Sequence, residues 1–263
     1  MRTEEVLQRL PHKLKQMIGS AGLLQNTAGC SKALVFHLPE LKAYLKTAPF
    51  RDVEPLAYEA EVLHWLQGKL PVPAVLYFEH HGDYEYLLMS EVEGEDCSRE
   101  LYRQDPEGMV RKLAEGLKLI HSVGIVDCTL DQGVEVKLKK ARSNLERGLI
   151  RVADREPRYQ GTPLPELYAQ LLAKKPTEHD LVFTPGDYCL PNIILTNGQL
   201  SGFIDLGRAG VCDRYVDLAL AIRSLEHNGY ASPELVHLFF EVYGLSDIDQ
   251  AKMEFYTLLD EFL

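Results

Sequence analysis

The feature that most constrains the fold is a pair of strands joined by a tight turn late in the chain. Residues 193–196 and 199–204 are apolar-rich strands separated by Asn197-Gly198, the dipeptide that favours a two-residue hairpin turn. A third apolar strand, residues 181–183, comes before them and is ended by Pro185-Gly186. We therefore expect a β-hairpin preceded by a strand and a loop.

Three oxygen-bearing side chains gather at the open end of this hairpin. Counting pairs outward from the turn places Asn192 opposite Phe203, so Asn192 and Asp205 share one end, and Asp187 lies on the loop before it. Such residues often only cap turns. The order of Asp187, Asn192 five residues later and then Asp205-x-Gly207 is nevertheless that of the catalytic residues of protein kinases. Three such side chains could provide oxygen ligands for a magnesium ion and one carboxylate that acts on a substrate hydroxyl.

A lysine for nucleotide phosphates and a glutamate to hold it lie upstream. Alternation along residues 41–47 places Tyr44 and Lys46 on one face of a strand. In the helix predicted for residues 56–66, Glu59 shares an apolar stripe with leucines. A carboxylate on a buried stripe is costly without a cationic partner, so we expect Lys46 and Glu59 to pair.

The turn from residue 26 to residue 31 is a weaker signal. It contains one glycine, Gly29, and is neither a G-x-G-x-x-G loop nor a Walker A sequence. It precedes the strand of Lys46, which is where a loop that covers ATP phosphates belongs. We expect its backbone N–H groups and Ser31 to contact those phosphates.

The order of predicted elements divides the chain into two lobes. Residues 1–92 are mostly short strands with one helix, and residues 93–263 are mostly helical apart from the hairpin. The polar segment 90–96 is the natural hinge. The predicted class is α+β with a bilobal protein-kinase-like fold, in which a small N-terminal antiparallel β lobe binds nucleotide and a larger C-terminal lobe carries the catalytic hairpin.

Charge and composition limit the kinds of molecule that we expect the protein to bind. The net charge of −11 argues against nucleic acid and favours a cationic ligand, although acidity alone also serves solubility. Residues 226–263 carry eight acidic side chains against one basic, Lys252.

No apolar run approaches the roughly 20 residues of a membrane span, and the start lacks a signal-peptide pattern. The five cysteines form no C-x-x-C pair. We expect a cytoplasmic protein with free thiols, without a membrane or nucleic-acid partner, as a monomer or weak dimer.

Long segments of the chain resemble the aminoglycoside 3′-phosphotransferases, the protein-kinase-like enzymes that inactivate kanamycin and neomycin. The resemblance is carried by Tyr44–Lys46, Trp65–Pro73, Leu87–Glu91, Gly186-Asp187 with Pro191-Asn192, Ser201–Arg208 and Leu258–Leu263. These segments extend essentially from one end of the chain to the other. The resemblance implies phosphorylation of an aminoglycoside hydroxyl, foremost the 3′-hydroxyl, with ATP and Mg²⁺, conferring antibiotic resistance.

The resemblance also implies roles for the nucleotide-binding residues. Lys46 would contact the phosphates of ATP, Glu59 would position Lys46, and Tyr44 would stack on adenine. The backbone around Ser90 and Val92 would recognise the adenine edge.

The catalytic and substrate residues follow from the same resemblance. Asp187 would take or orient the substrate hydroxyl, while Asn192 and Asp205 would hold magnesium. The antibiotic site would be lined by Arg208, Asp260, Glu261 and the terminal carboxylate of Leu263, with Asp154, Glu156 or both. Because aminoglycosides are polyamines at neutral pH, an anionic site attracts them by charge-assisted hydrogen bonds and electrostatic steering.

One residue departs from the family pattern. The family has His-Gly-Asp where this chain has Pro185-Gly186-Asp187. Histidine there braces the catalytic loop, whereas proline lacks a side-chain donor but favours an extended Thr184. We expect retained, weakened catalysis. The alternatives are a kinase for another small alcohol, such as a macrolide or choline, and a catalytically impaired nucleotide-binding homologue.

Overall fold

The chain folds into two compact units. A computed structural model describes residues 6, 8–26, 33–50, 55–150 and 155–263. The first unit consists of residues 1–95 with 194–208, and the second of residues 96–193 with 209–263. Most of the hairpin predicted around Asn197-Gly198 therefore packs with the N-terminal part of the chain. Each unit has an antiparallel sheet and helices, as the predicted α+β class requires.

The first unit is built on a five-stranded antiparallel sheet. Its strands are β1 (Leu24–Asn26), β2 (Leu34–Leu38), β3 (Ala43–Pro49), β4 (Val75–His81) and β5 (Tyr84–Ser90), in the spatial order β1-β2-β3-β5-β4. The strand of Lys46 begins at Ala43, because Leu41 ends a 3₁₀ turn and Lys42 follows it with φ of 45°. The alternation predicted for this strand is confirmed, since Ala43 and Leu45 are buried and Tyr44 and Lys46 are partly exposed.

Two helices accompany this sheet, α1 (His12–Ile18) and α2 (Leu56–Leu66). The predicted bounds of α2 are confirmed, with Pro55 at its N-cap and Gly68 at φ 76° just beyond its end. Its buried face contains Leu56, Glu59, Leu63 and Leu66. The apolar stripe thus carries one carboxylate inward, as the periodicity predicts.

The second unit is mainly helical. Its helices are α3 (Pro106–His121), α4 (Val134–Glu146), α5 (Leu164–Ala173), α6 (Tyr215–His227), α7 (Pro233–Tyr243) and α8 (Gln250–Asp260). Asp105, Ser232 and Asp249 accept hydrogen bonds from backbone amides in the first turns of α3, α7 and α8, which explains where these helices begin. No helix in the described parts of the chain is long and apolar enough to cross a membrane.

The remaining strands carry the predicted catalytic segment. After the short β6 (Glu95–Asp96), β7 (Leu181–Thr184) pairs antiparallel with β10 (Gly210–Asp213), and between them come β8 (Ile193–Thr196) and β9 (Gln199–Phe203). The turn between β8 and β9 has φ of 52° at Asn197 and 72° at Gly198. Two positive φ values are those of a type I′ turn, so the predicted hairpin is confirmed.

Candidate active site

In the first unit, Lys46 lies between two carboxylates. Its Nζ donates to Glu59 Oε1 at 2.7 Å and to Asp205 Oδ1 at 2.9 Å. The Lys46 and Glu59 side chains are 13% and 4% exposed, whereas that of Asp205 is 56% exposed. A buried glutamate therefore fixes the ammonium group from inside, and a more accessible aspartate holds it from outside.

The charges of this cluster stabilise one another. Burial lowers the pKa of Lys46, but Glu59 and Asp205 outweigh it, so the pKa is raised overall. The pKa of Asp205 is lowered, first by the charge of Lys46 and further by Arg208, against the opposing effect of burial. Lys46 is thus protonated and Asp205 ionised at neutral pH. A protonated lysine can bind phosphate, and an ionised aspartate can bind a cation.

Tyr44 lies on β3, the strand of Lys46, and β5 is the neighbouring strand. The ring of Tyr44 is partly exposed and stacks on His37, its cross-strand neighbour, with ring centroids 4.6 Å apart. The amide of Ser90 donates to Ala74 O at 2.9 Å. The N–H group of Ser90 is therefore engaged within the first unit.

In the second unit, the loop of Asp187 is held from behind by Asp217. Asp217 Oδ1 accepts a hydrogen bond from the amide of Gly186 at 3.0 Å, and Gly186 has φ of 76°, which favours glycine. Pro185 is buried, and Thr184 before it is the last residue of β7. The proline therefore ends the strand as expected, while an aspartate braces the residue directly before Asp187.

Asp217 belongs to a buried polar network. Its Oδ2 lies 3.0 Å from His121 Nε2, and His121 Nδ1 lies 2.7 Å from the hydroxyl of Tyr243. Arg214 donates to the same hydroxyl at 2.9 Å. Asp217 is fully buried, and its hydrogen bonds compensate for its lost hydration. Sequence reasoning missed Asp217, although an acidic residue on the buried stripe of α6 is the same signal that identified Glu59.

Asn192 and Asp205 have the chemistry of magnesium ligands. The amide nitrogen of Asn192 donates to Asp187 O at 2.9 Å, which leaves its Oδ1 as an acceptor facing elsewhere. Asp205 has φ of 59°, a left-handed conformation that non-glycine residues seldom adopt and that clusters at functional sites. Carboxylate and amide oxygens are the hard ligands that magnesium prefers. Each of these side chains, taken by itself, is therefore of a type that can bind magnesium.

The acidic end of the chain surrounds one arginine. Arg223, on α6, has its Nε 3.3 Å from Glu156 Oε1 and its Nη2 3.4 Å from Glu261 Oε1, and its Nη1 is hydrogen-bonded to Asp260. The amide of Glu156 also donates to Glu261 Oε2 at 3.2 Å. We call Arg223, Glu156, Asp260 and Glu261 the tail cluster. It brings together three of the predicted substrate residues and one that sequence reasoning missed.

The last residues are fixed by contacts of Phe262. This residue is 1% exposed, its ring packs edge-on against Tyr168 with centroids 5.6 Å apart, and its carbonyl accepts from Asn144 Nδ2 at 2.9 Å. Leu263 therefore directly follows a buried residue with defined packing contacts.

A cavity of about 270 Å³ opens beside Asp187 in the second unit. Its lining comprises Asp187, Cys189, Pro191, Leu220, Arg223, Ser224, His227, Asn228 and Asp260. It therefore places the predicted catalytic carboxylate and part of the tail cluster around the same space. Two predicted site residues, Ser31 and Asp154, lie outside the described residues.

Three comparisons place the chain among known proteins. Residues 27–256 match the model of the Phosphotransferase enzyme family. The chain is 45% identical to an aminoglycoside 3′-phosphotransferase of Niallia circulans, over 96% of this chain and 97% of that protein. It is 38% identical to one from Enterococcus faecalis, over 96% and 98% of the two chains.

Solved structures agree with these relatives. An aminoglycoside 3′-phosphotransferase of type VIII superposes with a TM-score of 0.86 at 26% identity, covering 99% of this chain and 98% of that one. The aminoglycoside phosphotransferase APH(3″)-Id of Streptomyces rimosus, in complex with ADP and streptomycin, gives a TM-score of 0.82 at 27% identity, covering 100% and 99% of the two chains.

Proposed function

Because this chain belongs to the Phosphotransferase enzyme family, we propose that it phosphorylates aminoglycoside antibiotics with ATP and Mg²⁺, at the 3′-hydroxyl. The observation that carries the proposal is the 45% identity to the Niallia circulans aminoglycoside 3′-phosphotransferase over 96% of the chain. The protein would act as a resistance enzyme against antibiotics such as kanamycin and neomycin. Its net charge of −11 suits a polycationic substrate.

On the nucleotide side, Lys46 would bind the phosphates of ATP. Glu59 keeps the ammonium group in place and charged, because it is buried and bonded to it at 2.7 Å. Tyr44 would stack on adenine, and Ser31 would contribute to the phosphate site. Asn192 and Asp205 would hold Mg²⁺, which neutralises phosphate charge when bound. Catalysis of this kind rests on positioning and charge stabilisation.

At the reacting centre, Asp187 would orient the antibiotic hydroxyl and accept its proton. The hydroxyl oxygen forms a bond to the γ-phosphorus, the bond from that phosphorus to the β–γ bridging oxygen breaks, and ADP leaves with the electron pair. Asp217 serves this step by holding the amide of Gly186 at 3.0 Å, directly before Asp187. This brace acts from the backbone and does not need a histidine at position 185.

On the antibiotic side, the tail cluster would bind ammonium groups. Glu156, Asp260 and Glu261 would supply three carboxylates, and the terminal carboxylate that the resemblance implies for Leu263 would add a fourth. Arg208 and Asp154 would complete the site. Charge-assisted hydrogen bonds from several ammonium groups to such an array give both affinity and orientation.

The proposal is tested by magnesium-dependent ADP release with three antibiotics. We expect turnover with kanamycin and none with tobramycin, which lacks the 3′-hydroxyl. Streptomycin is included because the Streptomyces rimosus relative was solved with it. Turnover with streptomycin but not kanamycin would contradict the 3′ assignment. ATP binding without any phosphorylated antibiotic would favour another small alcohol or an enzyme impaired by Pro185, and Pro185→His would separate these two outcomes.

A further inference from the structure

The tail cluster contains one residue for which neither the resemblance nor the proposed mechanism gives a role. We propose that Arg223 is a positioning residue for the antibiotic, which fixes the carboxylates of Glu156, Asp260 and Glu261 relative to one another beside the cavity, where Asp260 is the acid of the three that lines it. This inference rests on the proposed function, because it assigns those carboxylates to substrate binding. Arg223 itself would set antibiotic affinity without contacting the nucleotide.

The first argument is the number of carboxylates that one guanidinium reaches. Arg223 uses Nε for Glu156, Nη1 for Asp260 and Nη2 for Glu261, so each of its three nitrogens faces a different acid. Its planar, fixed fork can hold several oxygens at once, which a lysine cannot do in the same geometry. The acids come from two separate segments, and Arg223 on α6 joins them.

The second argument is the burial of the cluster. The side chain of Arg223 is 19% exposed, and those of Glu156 and Glu261 are 8% and 1% exposed. Carboxylates this close together and this poorly solvated repel one another strongly unless a cation lies among them. Arg158 also reaches Glu156, with its Nε 2.6 Å from Oε2, but Arg223 is the arginine that contacts all three acids. Without Arg223 the acids would separate or take up protons, and either change removes negative charge from the cluster.

The third argument is that Glu261 is already close to losing its charge. Burial raises the pKa of Glu261 to about 7, Arg223 opposes that rise, and Glu156 and Asp260 add to it. Removing Arg223 would raise the pKa of Glu261 further. Glu261 would then be mostly protonated at neutral pH and would no longer attract an ammonium group.

The fourth argument is the position of the cluster relative to Asp187. Arg223 and Asp260 line the same cavity of about 270 Å³ as Asp187. Arg223 and Asp260 thus form one wall of the space that Asp187 also faces. A small displacement of the wall changes how a bound polyamine presents its hydroxyl to Asp187, so affinity and orientation are both affected.

The variants Arg223→Met and Arg223→Lys test this role, with Arg142→Met as the matched control. Arg142 is 69% exposed on α4 and pairs with Glu146 at 2.8 Å. We expect Arg223→Met to raise the KM for kanamycin at least about tenfold, since truncating one partner of a buried charge pair costs more than 1.4 kcal/mol. The Kd for ATP should change less than about twofold, and Arg223→Lys should lie between Arg223→Met and the wild type.

Two results would overturn the inference. One is a kanamycin KM for Arg223→Met within about twofold of the wild type. The other is a parallel loss of kanamycin and ATP affinity with a lowered Tm in both variants, which would make Arg223 a residue of general stability only. Arg142→Met should behave as the wild type throughout.

A second measurement needs no turnover. Carboxyl NMR titration of Glu261 should give a midpoint near 7 in the wild type and a higher one in Arg223→Met, or in Arg223→Lys if the first variant does not fold. An unchanged midpoint would show that the two groups are uncoupled and would refute the positioning role. Failure of the wild type to phosphorylate any aminoglycoside would refute the proposed function, and the titration would still report on Arg223.

Discussion

The Lys46 site of the first unit and the tail cluster of the second unit have the same plan with different charge balance. Lys46 lies between two carboxylates, Glu59 and Asp205, whereas Arg223 lies among three. In the first site we propose the cation as the ligand-binding group, and one of its acids is 56% exposed. In the second, the acids outnumber the cations even when Arg158, which pairs with Glu156, is counted, and the Arg223 side chain is 19% exposed.

From this difference we expect the sign of the excess charge in each site to select its ligand. A lysine with one accessible aspartate can exchange that contact for an anionic phosphate, while the aspartate is released for a metal ion. Three carboxylates beside two guanidinium groups, those of Arg223 and Arg158, keep one surplus negative charge when all of them are ionised, which suits a polyamine. Variants that remove one charge should therefore affect one ligand and spare the other.

The largest effect is expected at the reacting carboxylate. Asp187→Asn should lower kcat by about 10²–10⁴-fold, because the proton acceptor is lost while the shape is kept. Binding of ATP and of kanamycin should both persist, since neither charge cluster is changed. The measurement is ADP release together with calorimetric titration of each ligand. The control is Asp247→Asn, an exposed aspartate, and a near-wild-type rate for Asp187→Asn would exclude its catalytic role.

The next largest effect is expected on the use of ATP alone. Lys46→Met should lower kcat/KM for ATP by about 10²–10³-fold, the usual cost of removing one preorganised charge from a reacting group. The Kd for kanamycin should stay within about twofold. Lys174→Met is a suitable control, since Lys174 is 47% exposed and pairs with Glu254. A matching loss of kanamycin affinity would show that the two sites do not act separately.

A packing change in the first unit should cost stability. A Cβ on Gly202 would lie 2.5 Å from Pro71 O and 2.9 Å from Val92 Cγ1. Gly202→Ala should therefore lower the free energy of unfolding by about 1–3 kcal/mol, as overpacking does. In Gly124→Ala nothing lies within 4 Å of the added Cβ, so no loss is expected. Equal thermal unfolding temperatures for the two variants would contradict the close approach.

The smallest effect is a change in pH dependence in the second unit. Because burial raises the pKa of Glu261 to about 7 in the folded protein, above its ordinary 4.5, the folded state binds the Glu261 proton more tightly. Its contribution to stability is complete below pH 4.5 and is lost as the pH rises through 7. Glu261→Gln should flatten the fall in Tm between these values. If Tm falls as steeply with pH in that variant as in the wild type, another group is responsible for the pH dependence.

Local patterns were sufficient for much of the fold and part of the site. The Asn197-Gly198 turn and the bounds of α2 could be predicted because they depend on residues close together in sequence. The pairing of Lys46 with Glu59 could be predicted because local periodicity places each residue. Strand alternation places Lys46 on the more exposed face of β3, and helix periodicity places Glu59 on the buried stripe of α2. The functional roles of all the predicted site residues stay predictions, and those of Ser90, Val92, Arg208 and Leu263 rest on the resemblance alone.

Asp217 and Arg223 were missed for different reasons. Asp217 lies on a buried stripe of α6 and could have been recognised by the argument used for Glu59. Arg223 gives no such signal, because an arginine late in a helix is usually solvated. Its partners are at positions 156, 260 and 261, and no periodicity links these positions to it.

The sequence by itself determined the strand and helix pattern, the order of the catalytic residues, the anionic character of the chain and its family. These follow from periodicity, turn chemistry and composition, which act over a few residues or over the chain as a whole. Only the tertiary structure decided that Asp217 braces Gly186 and that Arg223 joins three carboxylates. Hydrogen bonds and ion pairs between distant segments depend on distances of a few ångströms, and those distances exist only once the segments are packed.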